Sequence, residues 1–187
     1  MTEPHALALA ELRERVSALV RDLDPSTLDR PAPATPEWRV RDVLAHMVEQ
    51  WEQLGPRFET MLAGAPAEIA GQALFDAATH EHDLRHAIGR SGARQSDAMG
   101  LGWDWFVETR TRMGAPAIRL RNELRDDVAG EGEPRVTVRA PYFELFRAAT
   151  GRRTAAEMAS YEWEPAPDAA MLLAAPFFTI RTESLSE

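Results

Sequence analysis

The sequence predicts a mainly α protein: an antiparallel four-helix bundle over residues 1–115, followed by a small α+β module over residues 116–187. Three observations predict it. Four successive segments repeat apolar residues at three- and four-residue spacing, as helices with one buried face do. Breaks rich in proline and glycine separate those segments. After Pro116 the apolar period drops to two, the period of a half-buried strand.

The first helix is predicted over residues 5–23, where Leu7, Leu12, Val16, Leu19, Val20 and Leu23 recur at helical spacing. Residues 24–37 carry four prolines and stop it as a loop. A second helix starts near Trp38 to Val40 and holds Val43, Leu44, Met47, Trp51 and Leu54. Gly55-Pro56 should kink or end it, with a further helical piece to about Leu62. The third helix is predicted from Ala67 to Ile88, closed by Gly89. The fourth runs from Ser96 to Met113 around Trp103 and Phe106 and ends at a glycine. Four such stripes joined in order favour an antiparallel bundle. In the second module, residues 117–121 and 135–139 alternate apolar with charged residues and are predicted strands, with room for one more short strand in the turn-rich stretch between them. Tyr142 to Ala149 is a predicted helix before Gly151, and Thr154 should N-cap another through Met158. No element is assigned beyond Ala166.

Composition narrows the function. The chain has 187 residues, enough to bury a substantial core, and carries 30 acidic against 21 basic residues. Every basic residue is arginine, and the formal net charge is -9. Such a surface repels a phosphate backbone, which argues against nucleic acid as a general partner. With no cysteine there is no disulfide, no thiolate metal ligand and no thiol nucleophile in the chain. The first 20 residues contain three Glu and two Arg, unlike a signal peptide, and no apolar run approaches the roughly 20 residues that span a bilayer. A cytoplasmic protein is expected.

The third helix contains the residues with chemistry to offer. Asp76 and His80 are four apart, so one turn of helix carries a carboxylate and an imidazole on the same face. That pair suits Zn²⁺, and also Ni²⁺, Fe²⁺ or Mn²⁺. His46 on the second helix is the candidate third ligand. Three protein ligands leave positions open for water or substrate, as in catalytic rather than structural sites. His82 and His86 form a rival pair at the same spacing. Ile69, Ala73, Ala77, Leu84 and Ala87 mark the inward stripe, with Asp76 and His80 in or beside it. His82 lies about 200° around the helix from His80, which assigns His82, Asp83 and His86 to a solvated outer face. Trp51 and Trp103 are read as core, and Glu131-Gly132-Glu133 as turn surface rather than a second metal site.

At these residues the chain resembles a known family. Trp38-Arg-Val-Arg-Asp-Val-Leu-Ala-His46 resembles the signature that opens the second helix in mycothiol-dependent maleylpyruvate isomerase-like proteins of the DinB-like superfamily. Asp76-xxx-His80, continuing to Asp83-Leu84, looks like that family's carboxylate-xxx-His metal motif. Phe143 to Arg153, ending in Gly-Arg-Arg, resembles a helix of its C-terminal module. The resemblance implies a DinB-like four-helix bundle with His46, Asp76 and His80 as ligands of a divalent metal, often zinc. It implies mycothiol as thiol cofactor, whose thiolate attacks a small electrophilic substrate, of a class that includes anions. Isomerisation would follow by addition, rotation and elimination; a transferase would release the adduct. The nucleophile would thus come from the cofactor, with none among the protein's residues. Two positions depart from the pattern: Arg39 stands where Ser or Thr is usual, and Asp76 where Glu is more common. Arg152 and Arg153 are candidate binding groups for an anionic substrate or cofactor, since guanidinium matches carboxylate; the alternative is a solvated pair at a helix end. A non-catalytic metal-binding or regulatory module, or a metal-dependent hydrolase with Glu49 or Glu81 as base, are the other functions such a site allows.

Overall fold

α1 (Glu3–Val20) turns Ala8, Leu9, Leu12 and Val16 inward, a stripe of three- and four-residue steps. Leu7, expected on that stripe, is 56% exposed, because it lies about 200° around the helix from Leu9. Structure is described for residues 3–62, 67–166, 173 and 178–187, in a computed structural model. The proline-rich connection contains a one-turn 3-10 helix, Pro25–Asp29, N-capped by Asp24. α2 (Val40–Leu62) buries Val43 and Met47. It continues through Gly55-Pro56, since a proline removes one amide from the ladder without ending it when the flanking turns hold. Trp51 is half-buried under the Arg13 guanidinium, 5.5 Å from its ring, rather than fully in the core. Leu54 lies outside the described side chains.

α3 (Ala67–Ala87) leaves the helix at Gly89, whose φ of +67° a residue with a Cβ adopts only under strain. It packs on both α1 and α2. α4 (Asp97–Arg112) approaches it so closely at Gly102 that an added Cβ would lie 2.7 Å from the Phe75 Cα. With neighbours on three sides, α3 has no solvated face in its middle: Ala77 through Arg85 are all buried.

The second part of the chain holds a four-stranded sheet of order β2-β1-β3-β4, where β1 is Ile118–Arg121, β2 Asp126–Ala129, β3 Thr137–Arg139 and β4 Glu162–Glu164. β1 pairs antiparallel with β2 (Ile118 with Ala129) and parallel with β3 (Leu120 with Val138), and β3 pairs antiparallel with β4 (Val138 with Trp163). α5 (Tyr142–Ala149) and α6 (Ala155–Ala159) lie between β3 and β4 in the chain. Thr154 caps α6 in a full capping box with Glu157. Leu120, Val138, Phe146 and Met158 are fully buried.

By compactness the chain divides into two units, Met1–Gly102 with Glu187, and Trp103–Ser186. The division falls inside α4 because Trp103 belongs to the second core, its ring 5.2 Å from Phe106 and 5.7 Å from Tyr142. Among the described residues the protein is thus mainly helical with one small sheet. Among the described residues no helix is long and apolar enough to cross a membrane.

Candidate metal centre

The segment before α2 sets up one wall of the site. Its backbone is pinned by hydrogen bonds from Ala32 N–H to Trp38 O, from Trp38 N–H to Thr35 O and from Val40 N–H to Arg30 O. Arg39 has no side chain to cap the helix, so Asp42 supplies half of a capping box by accepting the Arg39 N–H at 2.8 Å. Trp38 is thereby held against two imidazoles, its ring 5.0 Å from that of His46 and stacked 5.7 Å from that of His80.

His46 from α2 and Asp76 and His80 from α3 converge. The His46 Nε2 and Asp76 Oδ2 atoms are 3.6 Å apart, as are His80 Nε2 and Asp76 Oδ1, and one ligand atom from each residue lies within 4.8 Å of the others. Zinc bonds of about 2.0–2.1 Å at tetrahedral angles put neighbouring donors about 3.3 Å apart, so small side-chain shifts bring this set onto one ion. The donor chemistry fits as well. Asp76 Oδ2 is buried without a hydrogen-bond partner, a costly state for a carboxylate oxygen unless a cation satisfies it. The His46 and Asp76 side chains are 30% and 32% exposed, whereas that of His80 is 8% exposed, so the site opens on one side only.

Electrostatics point the same way. Burial works to lower the His80 pKa, but the carboxylates of Asp76 and Asp83 override it and push it up from 6.5 to about 9. Burial alone would raise the Asp76 carboxyl; the nearby imidazole of His80 first, then that of His46 and the Gln50 amide, hold it below its ordinary value. Two carboxylates gathered on one imidazole make a field that favours a positive charge.

Asp83 was not expected here. It is fully buried, and its Oδ2 lies 3.2 Å from His80 Nδ1, an ion-pair contact short of good hydrogen-bond geometry. The signal was the three-residue step from His80, which places both on nearly the same face. The outer-face assignment of His82 is also corrected. His82 is 4% exposed and its Nε2 touches Met99 Sδ at 3.1 Å, because α4 covers that side of α3. His86 is half-buried, its Nδ1 3.8 Å from Glu187 Oε1. Ile69, expected on the inward stripe, is 41% exposed.

The other singled-out residues lie as follows. Glu81 is buried and receives hydrogen bonds from Arg15 and Arg85, two from each, at 2.8–3.1 Å, so it is committed to two guanidinium groups rather than available as a base. Glu49 is exposed on α2. In the second unit, Arg153 is 3% exposed, bonded to both Glu144 oxygens at 2.6 and 2.9 Å and placed over the Phe143 ring. Arg152 is 8% exposed, donates to the Thr150 carbonyl and lies over Phe178. Neither is a solvated helix-end residue. Glu131, Gly132 and Glu133 are exposed, as a turn surface is.

No curated protein and no solved structure was found to match the chain. A family model, the mycothiol maleylpyruvate isomerase N-terminal domain, matches residues 9–146, which take in the Trp38–His46 segment, the converging histidines and aspartate, and the sheet as far as β3. With that match covering well over half of its length, the chain belongs to the mycothiol maleylpyruvate isomerase N-terminal domain family.

Proposed function

We propose that the protein is a metal-dependent, mycothiol-dependent transferase or isomerase acting on a small electrophilic substrate, with His46, Asp76 and His80 as the metal ligands. The observation that carries the reading is the convergence of two imidazoles and a buried, unpartnered carboxylate oxygen from two helices, inside the span matched by the family. In the same reading α1 to α4 form the antiparallel bundle of the DinB type up to about residue 115, and the α+β module follows. The protein works in the cytoplasm, where thiols are kept reduced.

A bound divalent cation, zinc first and nickel, iron or manganese as alternatives, supplies positive charge that favours the thiolate form of a low-molecular-weight thiol. The chain's own residues do the rest. His46 and His80 would offer imidazole nitrogens and Asp76 a carboxylate oxygen. Asp83, 3.2 Å from the far nitrogen of His80, would hold the ring so that Nε2 turns to the site. Trp38 stacks on the His80 ring and lies tilted against that of His46. The exposed side of His46 and Asp76 leaves room for thiol and electrophile. The cofactor must bring the nucleophile, since the chain has no cysteine. A role for Arg152 and Arg153 in holding an anionic substrate group belongs to this proposal too; it requires Arg153 to exchange Glu144 for that group.

Metal analysis of the purified protein and of His46→Ala, Asp76→Ala and His80→Ala tests the site. Stoichiometric metal that is lost in each variant supports it, and metal retained in a variant removes that residue. Mycothiol-dependent consumption of an electrophile such as maleylpyruvate, abolished by His46→Ala, tests the chemistry. Metal binding without any thiol-dependent turnover would leave a non-catalytic module.

A further inference from the structure

The side-chain amide of Gln50 stands at the inward nitrogen of His46, with Gln50 Nε2 3.1 Å from His46 Nε2. Gln50 follows His46 by four residues on α2, as His80 follows Asp76 by four on α3. Each helix therefore presents a pair of polar side chains one turn apart, and the two pairs face each other.

We propose that Gln50 is a fourth protein ligand of the cation, through its side-chain carbonyl oxygen; this rests on the metal reading of His46, Asp76 and His80 given above. A cation on His46 Nε2 takes the lone pair that can otherwise accept a hydrogen bond, and it repels the N–H protons of the amide. Rotation about the last side-chain bond of Gln50, which is broad and nearly two-fold, exchanges nitrogen for oxygen at the same place without moving the backbone. The oxygen then meets the spacing a fourth donor needs from His46: 3.1 Å from its nitrogen, against the roughly 3.3 Å expected between donors of a tetrahedral zinc site. An amide oxygen is neutral and therefore the weakest of the four donors. It is the one that an anionic sulfur ligand replaces, which closes the site to water until a thiol arrives. Spacing rules built on His, Asp and Glu pass over such a residue, because an amide is a ligand only when it is already in place.

The test uses the full chain. Zn²⁺ affinity is measured by competition with a chromophoric chelator, and the ligand field is read from the visible spectrum of the Co²⁺-loaded protein. Gln50→Ala is expected to weaken Zn²⁺ binding about tenfold or more and to shift the Co²⁺ bands, by analogy with the 10–100-fold effects of residues that support a metal site. Gln50→Glu keeps an oxygen donor and is expected to bind at least as tightly as the wild type. If Gln50→Ala does not fold, Gln50→Leu carries the same comparison. Wild-type affinity together with an unchanged Co²⁺ spectrum in the alanine or leucine variant overturns the assignment of Gln50 alone. Failure of the wild-type protein to bind either ion overturns the three-ligand reading itself, and this inference with it.

Discussion

Removing the Glu81 carboxylate should destabilise the first unit more than most single changes can. Its side chain is 1% exposed and is held by Arg85, at 2.8 and 3.0 Å, and by Arg15, at 2.9 and 3.1 Å. In Glu81→Ala, Arg85 is left with a side chain 10% exposed, its guanidinium bonded to the Ser91 carbonyl but without the Glu81 carboxylate. Breaking a buried ion pair from one side typically costs about 3–5 kcal/mol. Arg15 is 28% exposed and can turn to water, so Arg15→Ala should cost only about 1 kcal/mol after solvent screening. Against a total stability of about 5–15 kcal/mol, the larger loss is readily seen in urea unfolding followed by circular dichroism. Glu81→Leu combined with Arg85→Met should recover most of it, because replacing both partners leaves no stranded charge. A loss below about 1 kcal/mol in Glu81→Ala would refute the burial argument. The double variant bears on function as well. It should retain cation affinity and thiol-dependent turnover, whereas a loss of turnover in a folded protein with intact metal binding would make Glu81 a chemical participant.

Asp83→Asn should lower Zn²⁺ affinity about 10–100-fold, the usual effect of losing the carboxylate behind a ligating histidine, measured by chelator competition; unchanged affinity would remove Asp83 from the site. Gly102→Ala should cost about 1–3 kcal/mol in urea unfolding, because its Cβ would meet Phe75 backbone atoms at 2.7 and 2.8 Å. A gain instead, as helix propensity alone would give, would mean that α4 stands further from α3. Tyr142→Phe should be neutral or mildly stabilising at pH 7, because the buried hydroxyl has no hydrogen-bond partner. It should also flatten the alkaline loss of stability. Burial first, and then Asp104, Asp127 and Glu123, push the Tyr142 pKa up against the opposing charge of Arg125. The folded state therefore keeps the phenol neutral where the unfolded chain ionises it, so the contribution is complete below about pH 10 and lost as pH rises beyond. An identical alkaline limb in the variant would contradict this.

How much was legible in the sequence follows from which neighbours each element has. α1 to α4 lay near their expected bounds because their apolar spacing and their proline and glycine breaks are local signals. α5 and the Thr154 cap of α6 were local too. β4 was missed because it is an edge strand of three residues, with a single half-buried Trp163 between exposed Glu162 and Glu164, too short a run for its alternation to stand out. His46, Asp76 and His80 could be picked out because one turn of helix joins two of them. Asp83 and Gln50 stand at equally regular steps, but a step of three or four residues is common on any helix and selects nothing until the facing helix is known. The error at His82 has the same origin. A run such as Thr79-His-Glu-His-Asp83 looks solvated if a helix has one apolar side, and α3 has neighbours on three.

That run also explains how so many polar groups can be buried at once. Successive residues turn by about 100°, so each meets a different neighbour. His80 faces His46 on α2, Glu81 meets Arg15 on α1, and His82 meets Met99 on α4. Asp83, 300° on, returns beside His80, and Arg85 returns to Glu81. Polar contacts of α3 therefore specify which helix sits on which side of it, something an apolar helix could not do so sharply. On the proposed reading a cation would enter only one of these three contacts, the one toward α2. A ligand that binds only the folded state, at 100 times its dissociation constant, adds about 2.7 kcal/mol. That gain should appear as protection of α2 amides and of the α2-facing side of α3 in hydrogen exchange, while the contact between Glu81 and α1 stays as it is without metal.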